Sequence, residues 1–184
     1  FVYGESPNVF YAETLSKLKQ GSIILPCDGE GRNGVYAARE GWQVQAFDLS
    51  EAGKEKASHL ALKYGVTIDF QIMDAATALY PNDAADVVAL IYTHLPPDVR
   101  KELHKNICKW LKPGGKLILE SFSPEQLKNT SGGPKDIDLL NSKEALMEDF
   151  KDLSINYLEY EHIHLSEGKF HEGSADVIRM IATK

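Results

Sequence analysis

Residues 23–34 (Ile23-Ile24-Leu25-Pro26-Cys27-Asp28-Gly29-Glu30-Gly31-Arg32-Asn33-Gly34) run an apolar strand directly into a glycine-rich turn that opens a helix. Few local patterns constrain a fold more. The glycines let the backbone approach a ligand closely, and the amino end of the next helix then faces that ligand with unpaired N–H groups. A second signal closes the next apolar segment, Gln43-Val44-Gln45-Ala46-Phe47-Asp48. A carboxylate there can accept hydrogen bonds from both hydroxyls of a ribose. Together the two signals imply a nucleoside-containing cofactor at the ends of neighbouring strands.

The rest of the chain supplies a sheet for those strands. Strand-like and helix-like segments alternate, as in an α/β sheet with helices on both faces. Residues 22–25 read as a buried first strand, and the helix after the glycine turn runs to about Glu40 and stops at Gly41. Residues 44–47 form the second strand. Ser50 caps a helix that carries Ala57, Leu60, Ala61 and Tyr64 on one face and ends at Gly65. Val66, Ile68, Phe70 and Ile72 alternate strictly, which predicts a half-buried third strand near a sheet edge. Residues 86–92 are a buried fourth strand, and Pro97 opens a helix with Val99, Leu103, Ile107, Trp110 and Leu111 inside. Lys112-Pro113-Gly114-Gly115 ends that helix and leads to a fifth strand at 116–121. The stretch 123–140 holds Gly132-Gly133-Pro134 and is too long for a plain connection, which predicts a loop over a site. A helix at 142–150 and two strands at 155–165 and 174–182, close enough to pair antiparallel, complete the pattern.

At 184 residues the chain is long enough for one domain with a full core, over residues 1–184. The formal charge of −7 and the lack of a Lys/Arg cluster argue against nucleic acid or an anionic membrane as the main partner. Cys27 and Cys108 lie far apart and outside any CxxC pair, so neither a metal site nor a disulfide framework is expected. No apolar run approaches the roughly 20 residues that cross a bilayer, and no stretch resembles a signal peptide. A cytoplasmic protein is expected, and a short leading segment before Phe1.

Gly29-x-Gly31-x-x-Gly34, with Asp48 at about the expected distance, matches the dinucleotide fingerprint and would suit an NAD-dependent oxidoreductase. Three features favour S-adenosylmethionine instead. A carboxylate at Asp28, inside the turn, repels a pyrophosphate but can pair with an ammonium. Asp74, followed by Ala75, is placed after strand three to accept from an adenine amino group, although an ordinary turn aspartate is as common. Finally, no second βαβαβ half follows to hold a nicotinamide.

On these residues the chain resembles class I S-adenosylmethionine-dependent methyltransferases of the small tellurite-resistance/thiopurine-methyltransferase-like type. The marks are Gly29-Glu30-Gly31-Arg32-Asn33, Phe47-Asp48-Leu49-Ser50, Asp74-Ala75, Leu111-Lys112-Pro113-Gly114-Gly115 and the opening Tyr3-Gly4-Glu5-Ser6-Pro7-Asn8. The resemblance implies a Rossmann-like seven-stranded sheet of order 3-2-1-4-5-7-6 with strand seven antiparallel, and a cofactor across the ends of strands one, two and four. It implies cofactor contacts from Tyr3, Cys27, Asp28, Gly29, Gly31, Arg32, Asn33, Asp48, Leu49, Asp74, Ala75 and Tyr92. It also implies a segment 1–20 that covers the cofactor site and an active-site loop at 123–141. One departure is visible. The family's Asp-x-Gly-x-Gly-x-Gly has its acid and first glycine replaced by Leu25 and Cys27, so Asp28 is expected to take over the methionine end. The departure keeps a non-catalytic module binding S-adenosylmethionine or its demethylated product open.

A sulfonium methyl group is already activated, so the protein mainly aligns the acceptor, and a base is needed only where the acceptor carries a proton. Candidates to act on the acceptor are His94 after strand four, Glu120 at the end of strand five and His171 in the last hairpin turn. For His94 the competing explanation is a histidine bonded to nearby backbone beside the Pro-Pro turn, and for His171 simple surface exposure. Tyr92 can shield the sulfonium. Cys27 reads as a small apolar filler, and His59, His104, His162 and His164 as surface residues. The expected acceptor is a small molecule (a thiol, a metalloid oxyanion or a small aromatic compound), and the expected assembly a monomer or weak homodimer.

Overall fold

The computed structural model of the chain describes residues 1–168 and 171–184. Seven strands form one sheet: β1 Ser22–Pro26, β2 Gln43–Asp48, β3 Asp69–Ile72, β4 Ala85–Ile91, β5 Leu111–Phe122, β6 Ser154–Ser166 and β7 Glu172–Thr183. Their order is β3-β2-β1-β4-β5-β7-β6, the order the resemblance implied. Strands β3, β2, β1, β4 and β5 run parallel, while β7 lies antiparallel to both β5 and β6. The chain winds outward from β1 in one direction and then from β4 in the other. A ligand crevice therefore belongs outside the carboxyl ends of β1 and β4.

Helices α1 Val9–Leu15, α2 Arg32–Arg39, α3 Glu51–Tyr64, α4 Pro97–Trp110 and α5 Lys143–Asp149 accompany the sheet. Successive strand residues point to opposite faces, and β1 shows it directly. Ile24 packs in a cluster with Leu103 and Trp110 of α4, whereas Ile23 and Leu25 pack with Tyr11 and Leu15 of α1 and Ala37 of α2. Both faces are covered, which is why this strand reads as a continuous apolar run.

The helix boundaries follow their chemistry. Ser50 Oγ accepts the Gly53 N–H at 2.9 Å at the start of α3, and Gly65 ends it with a left-handed φ of 66°. The start of α1 was not read from the sequence; there Asn8 Oδ1 accepts the Tyr11 N–H at 2.9 Å.

Three expectations need adjustment. The alternation at 66–72 forms a strand only from Asp69, because Val66 and Ile68 pack against Val35, Leu60 and Ala61 under the helices. The strand is nevertheless at the sheet edge, as expected. The Lys112–Gly115 turn lies inside β5: Leu111 pairs with Ala85, and the register resumes at Lys116 opposite Val87 across a bulge. His104 is no surface residue. It is 2% exposed, with Nδ1 2.9 Å from Asp149 Oδ2, and Arg100, one turn earlier on α4, donates to the same oxygen at 2.8 Å. His59, His162 and His164 are exposed.

Candidate active site

The glycine turn is shaped by two opposite needs. Gly31 has φ +83°, and a Cβ there would lie 2.4 Å from Ala57 Cβ, so the turn must be bare where α2 meets α3. Gly29, at φ +57°, faces the other way, and a Cβ on it would meet nothing within 4 Å. That open side is a cradle for a ligand. Asp48 at the end of β2 ties the turn down: its Oδ2 accepts the Gly29 N–H and its Oδ1 the Ser50 N–H, both at 3.0 Å. Leu49 beside it is 63% exposed. Asp74 Oδ1 accepts the Ala76 N–H at 2.9 Å in a local turn two residues past β3. Asp48, Leu49, Asp74 and Ala75 stand outside the lining of the main cavity, at the β2 and β3 ends of the crevice.

The cavity itself measures about 470 Å³. The turn contributes one wall through Cys27, Asp28, Gly29, Arg32 and Asn33. Cys27 has φ +55°, in the left-handed region that favours glycine, at the position where the resemblance implies one. Burial, then the neighbouring carboxylates of Asp48, Asp74 and Asp28, push its thiol up to about 12, so it stays protonated at neutral pH. Asp28 Oδ2 accepts the Gly34 N–H at 3.0 Å, so this carboxyl braces the first turn of α2. Burial pushes it up to about 7 against the Gly34 bond and the Arg32 charge.

Rings build the opposite wall. Tyr92, which follows β4 with φ +52°, has its centroid 4.8 Å from Phe122 and 4.6 Å from His171. His94 stacks on Phe122 at 5.5 Å, and Tyr3 lies 4.5 Å from His171. His171, expected in an exposed hairpin turn, is only 5% exposed and lines the cavity. His94 donates its Nδ1–H to the Leu139 carbonyl at 2.9 Å, and burial pushes the ring down to about 4, so it is neutral at pH 7. Gly132, Gly133 and Pro134 of the 123–141 loop close one side, and Tyr3 and Gly4 of the 1–20 segment close another.

Behind the rings lies a buried polar network. Glu120 does not line the cavity. It is fully buried and accepts from Asn8 Nδ2 at 2.6 Å, the Tyr92 hydroxyl at 2.7 Å and Arg179. A carboxylate held by three donors supports the site and does not reach an acceptor. Arg32 Nη2 donates to Glu167 Oε2 at 2.8 Å and Nη1 to the Tyr3 carbonyl at 3.0 Å. Asn33 Oδ1 accepts the Asn8 N–H at 2.9 Å, and Glu30 the Val2 N–H at 2.7 Å. The side chains of the cofactor turn thus hold the amino-terminal segment, while its backbone faces the cradle. Asn8 as a hub, Glu167, Arg179 and Phe122 escaped the sequence reading. No local signal marks them, since Glu120 comes opposite Arg179 only once β5 and β7 pair.

Fold and geometry define an α/β domain in which an open glycine turn adjoins an aromatic chamber. Residues 26–115 match the family model described as a methyltransferase domain. Phosphoethanolamine N-methyltransferase 1 of Zea mays is 30% identical over 107 residues, which is 57% of this chain and 21% of that protein. The chain thus spans about a fifth of the length of the curated relatives it matches. Among solved structures, an S-adenosylmethionine-dependent methyltransferase from Methanosarcina mazei aligns with TM-score 0.74 and 18% identity, over 94% of this chain and 96% of that one. TehB from Haemophilus influenzae aligns with TM-score 0.76 and 17% identity, over 95% and 61%. Residues 26–115 are thus similar to methyltransferase domains, and the chain shares the fold of solved S-adenosylmethionine-dependent methyltransferases.

Proposed function

We propose that this chain binds S-adenosylmethionine along the ends of β1, β2 and β4 and methylates a small molecule in the adjoining chamber. One observation carries the reading: the open cradle of Gly29 and the ring-lined chamber are two walls of a single 470 Å³ cavity. The residues present fit the cofactor. Gly29 leaves room for close backbone approach, Asp48 is pre-oriented with lone pairs to spare for ribose hydroxyls, and exposed Leu49 offers an apolar face beside it. When bound, the cofactor supplies a methyl group already activated on a sulfonium. The chain's own work is alignment and exclusion of water, from Tyr92, Phe122 and the segments that close the cavity. Tyr92 keeps its proton, since burial and then Glu120 push its hydroxyl far up, so the ring stays a neutral donor to Glu120.

A small acceptor suits an enclosed chamber, and thiols, metalloid oxyanions, small aromatics and the phosphoethanolamine named for the plant relatives are the acceptors to compare. The finer reading of a tellurite-resistance/thiopurine-methyltransferase-like type is supported by the order of motifs and by the likeness to TehB in fold. The same reading includes a cytoplasmic protein, a monomer or weak homodimer, and the charge of −7 argues against a nucleic-acid or anionic-membrane partner. The described residues contain no helix long and apolar enough to cross a membrane.

Calorimetric titration with S-adenosylmethionine, S-adenosylhomocysteine and NADH tests the cofactor. Saturable binding of the first two alone is expected, followed by transfer of a labelled methyl group to at least one acceptor class. Binding of NADH alone would overturn the reading. Cofactor binding without transfer to any acceptor would leave a sensor in place of an enzyme.

A further inference from the structure

Two imidazoles line the chamber, but only one has a carboxylate behind it. His171 Nδ1 lies 3.4 Å from Glu167 Oε2. The hairpin turn brings them together: the Glu167 N–H donates to the His171 carbonyl at 2.8 Å, and the His171 N–H to the Gly168 carbonyl at 3.1 Å. Glu167 is itself fixed, by Arg32 Nη2 at 2.8 Å on the same oxygen and by Asn8 Nδ2 at 3.1 Å on the other. Both side chains are almost wholly buried, at 7% and 11% exposure.

We propose that His171 is the proton acceptor of the chamber and Glu167 its positioning residue, a dyad serving acceptors whose attacking atom still carries a proton. The inference rests on the methyl-transfer reading above and deepens it. An Nδ1–H directed at Glu167 leaves the lone pair on Nε2, which makes no hydrogen bond among the described residues. Tyr3, Tyr92 and Phe122 confine the ring at centroid distances of 4.5, 4.6 and 5.3 Å. In the transfer, the acceptor's X–H bond breaks and its proton goes to Nε2. The electron pair on X forms the bond to the methyl carbon as the carbon–sulfur pair stays on sulfur. The positive charge passes from sulfonium to imidazolium, next to Glu167. The imidazolium then gives its proton to water.

His94 is the weaker base for a physical reason. Its Nδ1–H meets only the neutral Leu139 carbonyl, and no carboxylate offsets the burial of its charged form. Around His171 the groups that bear on its charge are Glu167 in its own turn, Arg32 from α2, Tyr3 from the amino-terminal segment, Tyr92 after β4 and His94 beyond Phe122. Arg32 opposes an imidazolium and Glu167 favours it. Burial works against the Glu167 carboxylate, but His171 and Arg32 together hold it below the ordinary range, so the anion is present at neutral pH.

The test uses the full chain labelled with ¹⁵N-histidine and saturated with S-adenosylhomocysteine, as wild type, Glu167→Gln and His94→Gln. The expected spectra show the Nδ1–H tautomer for His171. The same tautomer is expected in H94Q. An Nε2–H tautomer for His171 in the wild type would overturn the dyad. Initial rates with two probe thiols supply a second readout. E167Q should lose at least about tenfold more rate with 2-mercaptoethanol, which keeps its proton at neutral pH, than with thiophenol, which has largely lost its own. Equal losses would reduce Glu167 to a structural role. Failure of S-adenosylhomocysteine to bind the wild type would sink the methyltransferase reading instead, while spectra without it still read the His171 tautomer.

Discussion

The two walls of the cavity are built on different terms. The cofactor wall is mostly backbone from one βαβ unit: Gly29 and Gly31 set the turn, and Asp48 reaches back to clasp the Gly29 N–H. The chamber wall is mostly side chains from separate places, with Tyr3, Tyr92, His94, Phe122 and His171 brought together by long-range packing. Its rigidity comes from Glu120, Arg32 and Glu167 underneath. In the proposed function a backbone wall, tied to the fold, would preserve the cofactor, and a side-chain wall, which can be re-cut residue by residue, would decide the acceptor.

The sharpest way to break this contrast is to remove the support of the chamber alone. Removing the fully buried carboxylate in Glu120→Ala strips the partner from Arg179, Asn8 and Tyr92 and should cost about 3 kcal/mol of folding stability, at the lower end for a broken buried pair because Arg179 keeps Glu161. Glu161→Ala, at the more exposed end of the same chain of charges, should cost under about 1 kcal/mol. Urea denaturation of both variants measures the difference. Equal costs would mean that the network is ornamental and the chamber stands on its rings.

The matching cut in the other wall is Asp48→Ala. It frees the Gly29 and Ser50 N–H groups and removes the ribose acceptor, so S-adenosylhomocysteine affinity should fall by about 1–3 kcal/mol with a smaller change in stability. An unchanged dissociation constant would take Asp48 out of the site.

The same contrast explains what could be read from residues alone. The cofactor wall was legible because its causes are local: glycine spacing, a strand-end carboxylate and Ser50 capping α3 all lie within residues 22–53. The sheet order also came through, by way of the resemblance and the alternation of elements. The chamber was half legible. His94, His171 and the Gly132-Gly133-Pro134 loop were singled out, yet nothing local says that His171 is buried against Tyr3 or that Glu167 pairs with Arg32, 135 positions away. Glu120 shows the limit most clearly. Its place at the end of β5 was right, but its direction depends on Asn8 and Arg179 arriving from opposite ends of the chain.

The smallest expected effect is a difference in sign between the walls. Asp28, in the cofactor turn, keeps its proton to about pH 7 when folded against 3.8 ordinarily. The unfolded chain therefore binds fewer protons than the native one between those values, and this group makes stability fall as pH rises from about 4 to 7. His94, in the chamber, refuses a proton until about pH 4, whereas an ordinary histidine takes one near 6.5. There the unfolded chain binds more protons, and the contribution rises with pH over the same window. In the wild type the two slopes oppose each other. Asp28→Asn should leave stability climbing more steeply from pH 4.5 to 6.5, and His94→Gln should tilt it the other way, as read from urea midpoints at several pH values. Parallel profiles for the two variants would show that buried charge does not distinguish the walls, and that backbone against side chain is the whole of their difference.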